Sequence, residues 1–294
     1  MVRIGINPLT WTNDDLPELG ETNSLETCLQ EAKQVGYQGV ELGRKFPRDA
    51  AVLGPILKNH KLDLVSGWYS ARLLERSVDD EVKAMQAHAT LLKSLGAKVM
   101  VFCEVSRCVH GDRKVPLSKR PKLAETEWKQ FCERLDQIAV HLQQQGLKLA
   151  YHHHMGTVIQ SEDEVDRMMD STSKVGLLLD SGHLTFAGGD PLRALKRHAK
   201  RIVHVHCKDI RKDKLAAARK QDMSFLDAVL GDVFAVPGDG SIDFDPLLAK
   251  LAKHKYEGWL VVEADQDPAK AHPLTHARLG HDCLRPLAKR YWSR

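Results

Sequence analysis

The stretch that decides the fold runs from Lys148 to Asp209. It opens Lys148-Leu-Ala-Tyr-His-His-His154, continues through Val175-Gly-Leu-Leu-Leu-Asp-Ser-Gly-His183 and closes Ile202-Val-His-Val-His-Cys-Lys-Asp209. Each segment begins as a nearly continuous apolar run and ends in His, Asp or Lys. Amphipathic residues separate the segments, and Asp190-Pro191 marks a helix start, a capping carboxylate followed by proline at the first helical position. Short apolar runs alternating with helices are the pattern of parallel strands covered on both faces.

The same unit repeats outward to both ends. Further strands are predicted at Arg3–Asn7, Gly39–Leu42, Leu62–Trp68, Lys98–Glu104 and Trp259–Glu263, beside Lys148–His152, Val175–Asp180 and Ile202–Cys207. Ser24 caps a helix that Gly36 closes, Asp80–Leu95 and Ala124–Gln145 are amphipathic and stop at glycines, and Asp245-Pro246 repeats the cap-and-proline signal. Eight β-then-α units without a break in composition predict a single α/β domain over residues 1–294, a closed (β/α)8 TIM barrel. An open doubly wound sheet is less favoured, because no strand runs into the G-x-G-x-x-G of a dinucleotide site. Two connections exceed ordinary loop length, 106–126 after the fourth strand and 211–240 after the seventh. Both lie at strand ends where a barrel carries its binding loops.

Composition removes several classes. The 294 residues hold 43 Lys and Arg against 39 Asp and Glu, a net charge of +4 too faint to call for a nucleic acid or an anionic membrane. No run approaches the roughly 20 apolar residues of a bilayer span, and the opening residues lack the apolar stretch of a signal peptide, so a cytoplasmic protein without a membrane partner is expected. The six cysteines form no C-x-x-C pair and read as reduced thiols. Histidine is the outlier: of 15, six fall in three short segments, His152, His153, His154, His183, His204 and His206.

A barrel enzyme works at the C-terminal rim of its strands. There the second strand delivers Glu41, the third Trp68 and Tyr69, the fourth Glu104, the fifth His152 to His154 and the sixth Asp180 and His183. The seventh delivers His204, His206, Lys208 and Asp209, and the eighth Glu263 and Asp265. One such residue would read as a satisfied core group or a helix cap, but seven strand ends together do not. Carboxylates and imidazoles without a thiolate cluster suit Mn²⁺, Co²⁺, Fe²⁺ or Zn²⁺. Strand alternation puts His152 and His154 on one face, and His204 and His206 likewise, so one of each pair can reach an ion while the other lies above or below it. His153 and Cys207 face away and read as structural. His110 and the other helix or loop histidines receive no role.

These motifs resemble a known family. Asp180-x-x-His183, His206-x-Lys208-Asp209, Gly238-Asp-Gly240-x-x-Asp243-Phe244 and Glu263 are similar to the xylose-isomerase-like superfamily of divalent-metal barrels. Asn7-Pro-Leu-Thr-Trp-Thr-Asn-Asp14, Leu64-Val-Ser-Gly-Trp-Tyr-Ser70, Ala150-Tyr-His-His-His-Met-Gly-Thr157, Gly182-His-Leu-Thr-Phe-Ala-Gly-Gly-Asp190 and Val261-Val-Glu-Ala-Asp-Gln-Asp-Pro268 more closely resemble the inosose (2-keto-myo-inositol) dehydratases of myo-inositol catabolism. The superfamily resemblance implies four ligands from strands five to eight, usually Glu, Asp, His and Glu. Here Asp180, His206 and Glu263 match. The fifth strand departs, with His152-His-His154 where the superfamily has Glu-x-His. His152 is taken as the fourth ligand, with Glu41 or Glu104 as carboxylates that could complete the shell instead. Histidine in place of glutamate makes the site one charge more positive and a stronger Lewis acid.

The resemblance implies removal of water from 2-keto-myo-inositol (scyllo-inosose), giving a trihydroxycyclohexane-1,2-dione through a metal-stabilised enediolate. His154 is the candidate base for the α-proton, and His183 or Lys208 the candidate acid for the leaving hydroxyl. Trp68 and Tyr69 would wall the ring, with Glu41 and Glu104 as polar substrate contacts. Mn²⁺ or Co²⁺ is the expected ion, and glutathione is a further cofactor implied by the family alone. A homo-oligomer is the default for barrels. Competing readings are a ketose epimerase or isomerase on the same metal site, and a sugar-binding barrel without turnover. An abasic-site nuclease, also known on this barrel, would need more metal ligands and a basic surface.

Overall fold

The computed structural model describes residues 2–293, so the termini Met1 and Arg294 of the predicted domain lie outside the described residues. Among the described residues ten strands form: β1 (Arg3–Ile6), β2 (Gly39–Leu42), β3 (Asp63–Ala71), β4 (Val99–Glu104), β5 (Lys148–His152), β6 (Gly176–Asp180), β7 (Ile202–Cys207), β8 (Asp209–Ile210), β9 (Phe234–Ala235) and β10 (Trp259–Val262). Eight close into a barrel in the order β1-β10-β7-β6-β5-β4-β3-β2, and their pairings are parallel. This is the (β/α)8 barrel expected from the alternation, and the predicted strands differ from the observed ones only at their ends.

Local chemistry sets the helix boundaries. Ser24 accepts from the Thr27 N–H, and Gly36 ends that helix at φ +113°, a left-handed position that glycine fills without strain. The cap predicted at Asp245 is in fact Asp243, whose side chain accepts from the Asp245 N–H. Pro246 then falls in the first turn, where its missing N–H has no intrahelical partner to lose. The main core fills the layer between strands and helices, with Leu29, Leu53, Phe131 and Leu135 fully enclosed. A smaller cluster of Val99, Val101, Ala150 and Leu178 plugs the barrel below its rim. Among the described residues, no helix is long and apolar enough to cross a membrane.

The two long connections differ from plain loops. Residues 211–240 fold into the helices Lys212–Lys220 and Phe225–Leu230 and the strand β9, which pairs antiparallel with β8. This unit has its own apolar cluster, in which Phe225 and Phe234 meet Met155 and Leu16. Asp209 pins it to the barrel by accepting from the backbone N–H groups of Ile210, Gly238, Gly240 and Ile242. A Cβ on Gly240 would lie 2.3 Å from Asp209 Oδ1. The Gly-Asp-Gly motif is therefore scaffolding for the rim. Among its ties, the 106–126 connection is held by Val109 N–H to Gly156 O (2.9 Å), Leu117 N–H to Met223 O (3.1 Å) and Arg113 to Asp227 (2.7 Å).

Candidate active site

Four adjacent barrel strands bring His152, Asp180, His206 and Glu263 together at the rim, all buried, with one ligand-type atom from each inside 4.8 Å of the others. Backbone chemistry decides which atoms are free. His152 Nδ1 lies 2.8 Å from the His153 carbonyl and must donate to it, which leaves the Nε2 lone pair facing Asp180 Oδ2 at 3.6 Å. Asp180 caps the short helix Ser181–Phe186 through Oδ1, which accepts from the His183 N–H at 2.7 Å, so Oδ2 is left over. His206 Nδ1 lies 3.6 Å from that Oδ2 and in close contact with Glu263 Oε2.

Among the described residues, Asp180 Oδ2, His206 Nδ1 and Glu263 Oε2 are buried without a hydrogen-bond partner beyond their contacts with one another. Such atoms cost about 1–3 kcal/mol each unless something satisfies them. Three that point at one another, beside a free imidazole nitrogen, fit a divalent cation with two nitrogen and two oxygen donors.

Glu41 sits behind this cluster. It accepts from Asn7 Nδ2 (2.7 Å), Ser66 Oγ, His204 Nε2 (2.8 Å) and His206 Nε2 (3.2 Å). Burial opposes its charge, but His206 and His204 outweigh burial and hold its carboxyl well below the usual range. Four donors meet its two oxygens, so Glu41, which also lines the cavity, is less free to ligate an ion than His152. It fixes the His206 tautomer, so that Nδ1 faces the cluster. For His206 itself, desolvation is outweighed by Glu263 and Glu41, and its pKa stands well above the ordinary histidine value. Glu41, His204 and His206 also lie within ligating distance of one another, but hydrogen bonds donated by the rings already occupy that space.

The two acid candidates are corrected. Lys208 Nζ is enclosed by Asp265 Oδ2 (2.6 Å), Glu263 Oε1 (2.8 Å) and His183 Nε2 (3.0 Å). Burial alone would lower its pKa, but Asp265 and Glu263 raise it far above the normal lysine value, so it serves as a fixed counter-ion. His183 accepts the Met155 N–H at Nδ1 (3.3 Å) and meets Lys208 at Nε2, and its ring backs His154 with centroids 4.0 Å apart. Neither residue is on the cavity wall.

The cavity itself is about 230 Å³, and its lining includes His152, His206, Glu263, His154, Trp68, His110, Asp14 and Asp15. That is below the roughly 300–1,000 Å³ of sites for drug-sized ligands and suits one small ring. Trp68 meets His152 and His154 edge-on, at 5.3 and 5.6 Å, as the expected wall. Tyr69 does not join it. The next residue on a strand faces outward, and its hydroxyl donates to Glu81 on the helix Val78–Ser94. Glu104 likewise lies off the cavity, accepting from the Leu73 and Ser106 N–H groups at 2.6 and 2.8 Å. His154 Nδ1 donates to the Met155 carbonyl (2.8 Å), leaving Nε2 with its lone pair, and burial, then His110, holds its pKa well below the ordinary value, so the ring is neutral. His153 accepts from the Asp180 N–H (3.4 Å) on the outer face and is structural. Sequence reasoning passed over Asn7, Asp14, Asp15 and His110. The motif Asn7–Asp14 and the length of the 106–126 connection were the available signals, and neither singles out a residue by its chemistry.

Comparisons with known proteins agree with this architecture. The family described as xylose isomerase-like TIM barrel matches residues 29–287. The chain is 53% identical over 288 residues to the rhizopine catabolism protein MocC of Rhizobium meliloti, covering 98% of this chain and 89% of that one. It is 43% identical to the inosose dehydratase of Clostridium perfringens over 94% of each chain, and 43% identical to that of Geobacillus thermodenitrificans over 97% of this chain and 96% of that one. In fold it is similar to the structure of IolI protein with a bound zinc atom (TM-score 0.72, 17% identity, all of both chains). It is also similar to L-ribulose 3-epimerase (TM-score 0.69, 14% identity, 99% of this chain and 96% of that one).

Proposed function

This chain belongs to the xylose isomerase-like TIM barrel family, and from that premise we propose that it is a hydro-lyase of the inosose dehydratase type, removing water from 2-keto-myo-inositol to give a trihydroxycyclohexane-1,2-dione. The observation that carries the reading is a neutral imidazole with a free lone pair, His154, beside the cluster of His152, Asp180, His206 and Glu263, in a chain 43% identical to inosose dehydratases over nearly its full length. The 53%-identical relative is named for a catabolic route and not for a reaction, so the reaction class comes from the dehydratases.

The four clustered residues would hold the ion, Mn²⁺ or Co²⁺ by donor type, and a bound divalent ion supplies Lewis-acid polarisation of the ketone and its neighbouring hydroxyl. The chain's own groups do the rest. Trp68 presents an apolar edge to the ring. His154 Nε2 takes the proton α to the carbonyl, and a neutral imidazole is suited to that task. Glu41 holds His206 in its ligating tautomer, and Lys208 pairs with Glu263 and Asp265. Among the described residues that line the cavity there is no Lys or Arg, which favours an uncharged polyol over a sugar phosphate. The free cysteines fit a reducing cytoplasm.

The test compares kcat/KM for 2-keto-myo-inositol with those for fructose and tagatose, while following dione absorbance. A metal-dependent rise in dione with the cyclic ketone preferred is expected. Preference for either open-chain ketose, without dione, would move the protein to the epimerases.

A further inference from the structure

With Lys208 and His183 enclosed, the reaction lacks a group to protonate the hydroxyl that leaves. We propose that His110, on the 106–126 connection, is that general acid. The inference rests on the dehydratase reading above. Among the described residues lining the cavity, most of the other proton carriers are occupied. His152, His206 and Glu263 belong to the cluster, Glu41 is saturated by four donors, and Asp265 is held by Lys208 at 2.6 Å. His154 is the base. Asp14 and Asp15 come from the loop after β1, and burial, then Asp15, pushes the Asp14 carboxyl up to about 6. His110 is set apart from them by its ring, which packs against the ring of His154.

Its position suits the role. Its ring lies edge-on to His154 with centroids 5.1 Å apart. His110 Nδ1 is buried without a partner, so the ring meets the cavity through Nε2, and Asp15 Oδ1 stands 3.8 Å from that nitrogen, an ion pair whenever the ring carries its second proton. The ring is also held in place. Gly156 closes the segment that carries His154 and accepts the Val109 N–H at 2.9 Å. Its φ is +81°, and a Cβ there would lie 2.9 Å from the His110 backbone nitrogen. One backbone joint thus sets base and acid side by side, as neighbouring carbons of one small ring require.

The step balances. The α C–H bond breaks, its proton passes to His154 Nε2 and its electron pair forms an enolate. That pair then becomes the C=C bond as the C–O bond to the β-hydroxyl breaks, and His110 Nε2 gives a proton to the departing oxygen, which leaves as water. His154 ends with one proton more and His110 with one fewer, and a proton returned from His154 to His110 through solvent restores both. No oxidant or reductant is involved.

The experiment separates the two proton transfers in the metal-loaded enzyme. His110→Asn and His110→Gln should lose about 10²- to 10⁴-fold in dione formation, yet exchange the α-proton of 2-keto-myo-inositol with D₂O at close to the wild-type rate. An analogue with fluoride in place of the leaving hydroxyl needs no acid, so both variants should release fluoride within about threefold of wild type. Wild-type dehydration by either variant overturns the assignment. So does loss of exchange together with elimination in both variants, because then His110 supports the site as a whole. If the wild-type enzyme neither exchanges nor dehydrates the ketone, the dehydratase reading itself fails and this inference falls with it.

Discussion

The cavity has a wall built by strands and a wall built by loops, and the two differ in what holds their side chains. On the strand side, His152, Asp180 and His206 lie in hydrogen-bonded register, with Asp180 paired to His206 across β6 and β7, and each is further fixed by a backbone carbonyl, a helix N–H or Glu41. On the loop side, Asp14, Asp15 and His110 come from connections, and the backbone joint between Val109 and Gly156 is the tie to the barrel nearest His110 in sequence. The strand wall has the rigidity that a metal site needs, since ligands must stay within tenths of an ångström. The loop wall has the reach to surround a substrate and the freedom to change with it.

The sharpest way to break this contrast is to remove a ligand from the strand side. Glu263→Gln or His206→Ala should abolish stoichiometric metal by elemental analysis and lower kcat/KM by about 10³-fold or more, the several kcal/mol that Lewis-acid stabilisation supplies. His110→Asn, on the loop side, should keep its metal in the same assay. Full metal content in both strand-side variants would refute the ligand set.

Glu41 tests the same wall one layer back. Glu41→Gln keeps the size of the side chain but can no longer accept from His204 and His206 together, so His206 loses the bond that fixes its tautomer. Metal affinity should fall about 10- to 100-fold by competition with a chelator, with the fold retained by circular dichroism. An unchanged affinity would mean that the strand geometry alone orients His206.

The strand wall was legible in the sequence and the loop wall was not, for a physical reason. Strand periodicity assigns a face to every residue, and the family resemblance then singles out Asp180, His206 and Glu263, with His152, among the inward positions. The misreadings at Tyr69 and Glu104 are failures of parity. Both are polar-capable residues at a strand end, one step out of register with Trp68 and Val101, and the outward step takes them to the helix layer. Glu41 faces inward as expected, but its four donors come from β2's neighbours and from β7, a convergence that only the closed barrel creates. Loop residues have no period. His110 lies 42 residues before His152 in a basic stretch, and nothing local distinguishes it from a solvated histidine.

A milder test uses pH. His206 has its pKa held well above the ordinary value by Glu263 and Glu41, against the desolvation that opposes its charge, and a proton on Nδ1 competes with the ion for the same lone pair. Binding therefore displaces that proton. Below the raised pKa, affinity should increase about tenfold per pH unit as pH rises, and calorimetry in buffers of different ionisation enthalpy should register about one proton released. A flat affinity between about pH 6 and 8, with no proton released, would mean that His206 ligates through a nitrogen that carries no competing proton, contrary to the strand-wall geometry.

The smallest expected effect comes from the residue that chain alternation removes from the site. Tyr69 is adjacent to Trp68 and was expected to share its wall, yet its hydroxyl bonds Glu81, and its ring lies between His88 and Phe102 in the outer layer. Tyr69→Phe removes one hydrogen bond to a carboxylate that still accepts from the Arg72 N–H at 3.0 Å and pairs with Arg76. The cost should be about 1–2 kcal/mol of stability, read by denaturant unfolding, with kcat/KM within about twofold of wild type. Trp68→Ala at the neighbouring position should do the reverse, raising KM for the cyclic ketone through loss of the apolar edge. If Tyr69→Phe lowered kcat/KM tenfold at unchanged stability, the hydroxyl would have to act in the cavity, and β3 would have to present its other face. That shift of one residue would also carry Trp68 and Ser66 out of the barrel and leave Glu41 without one of its donors, so the same variant tests the register on which the whole strand wall depends.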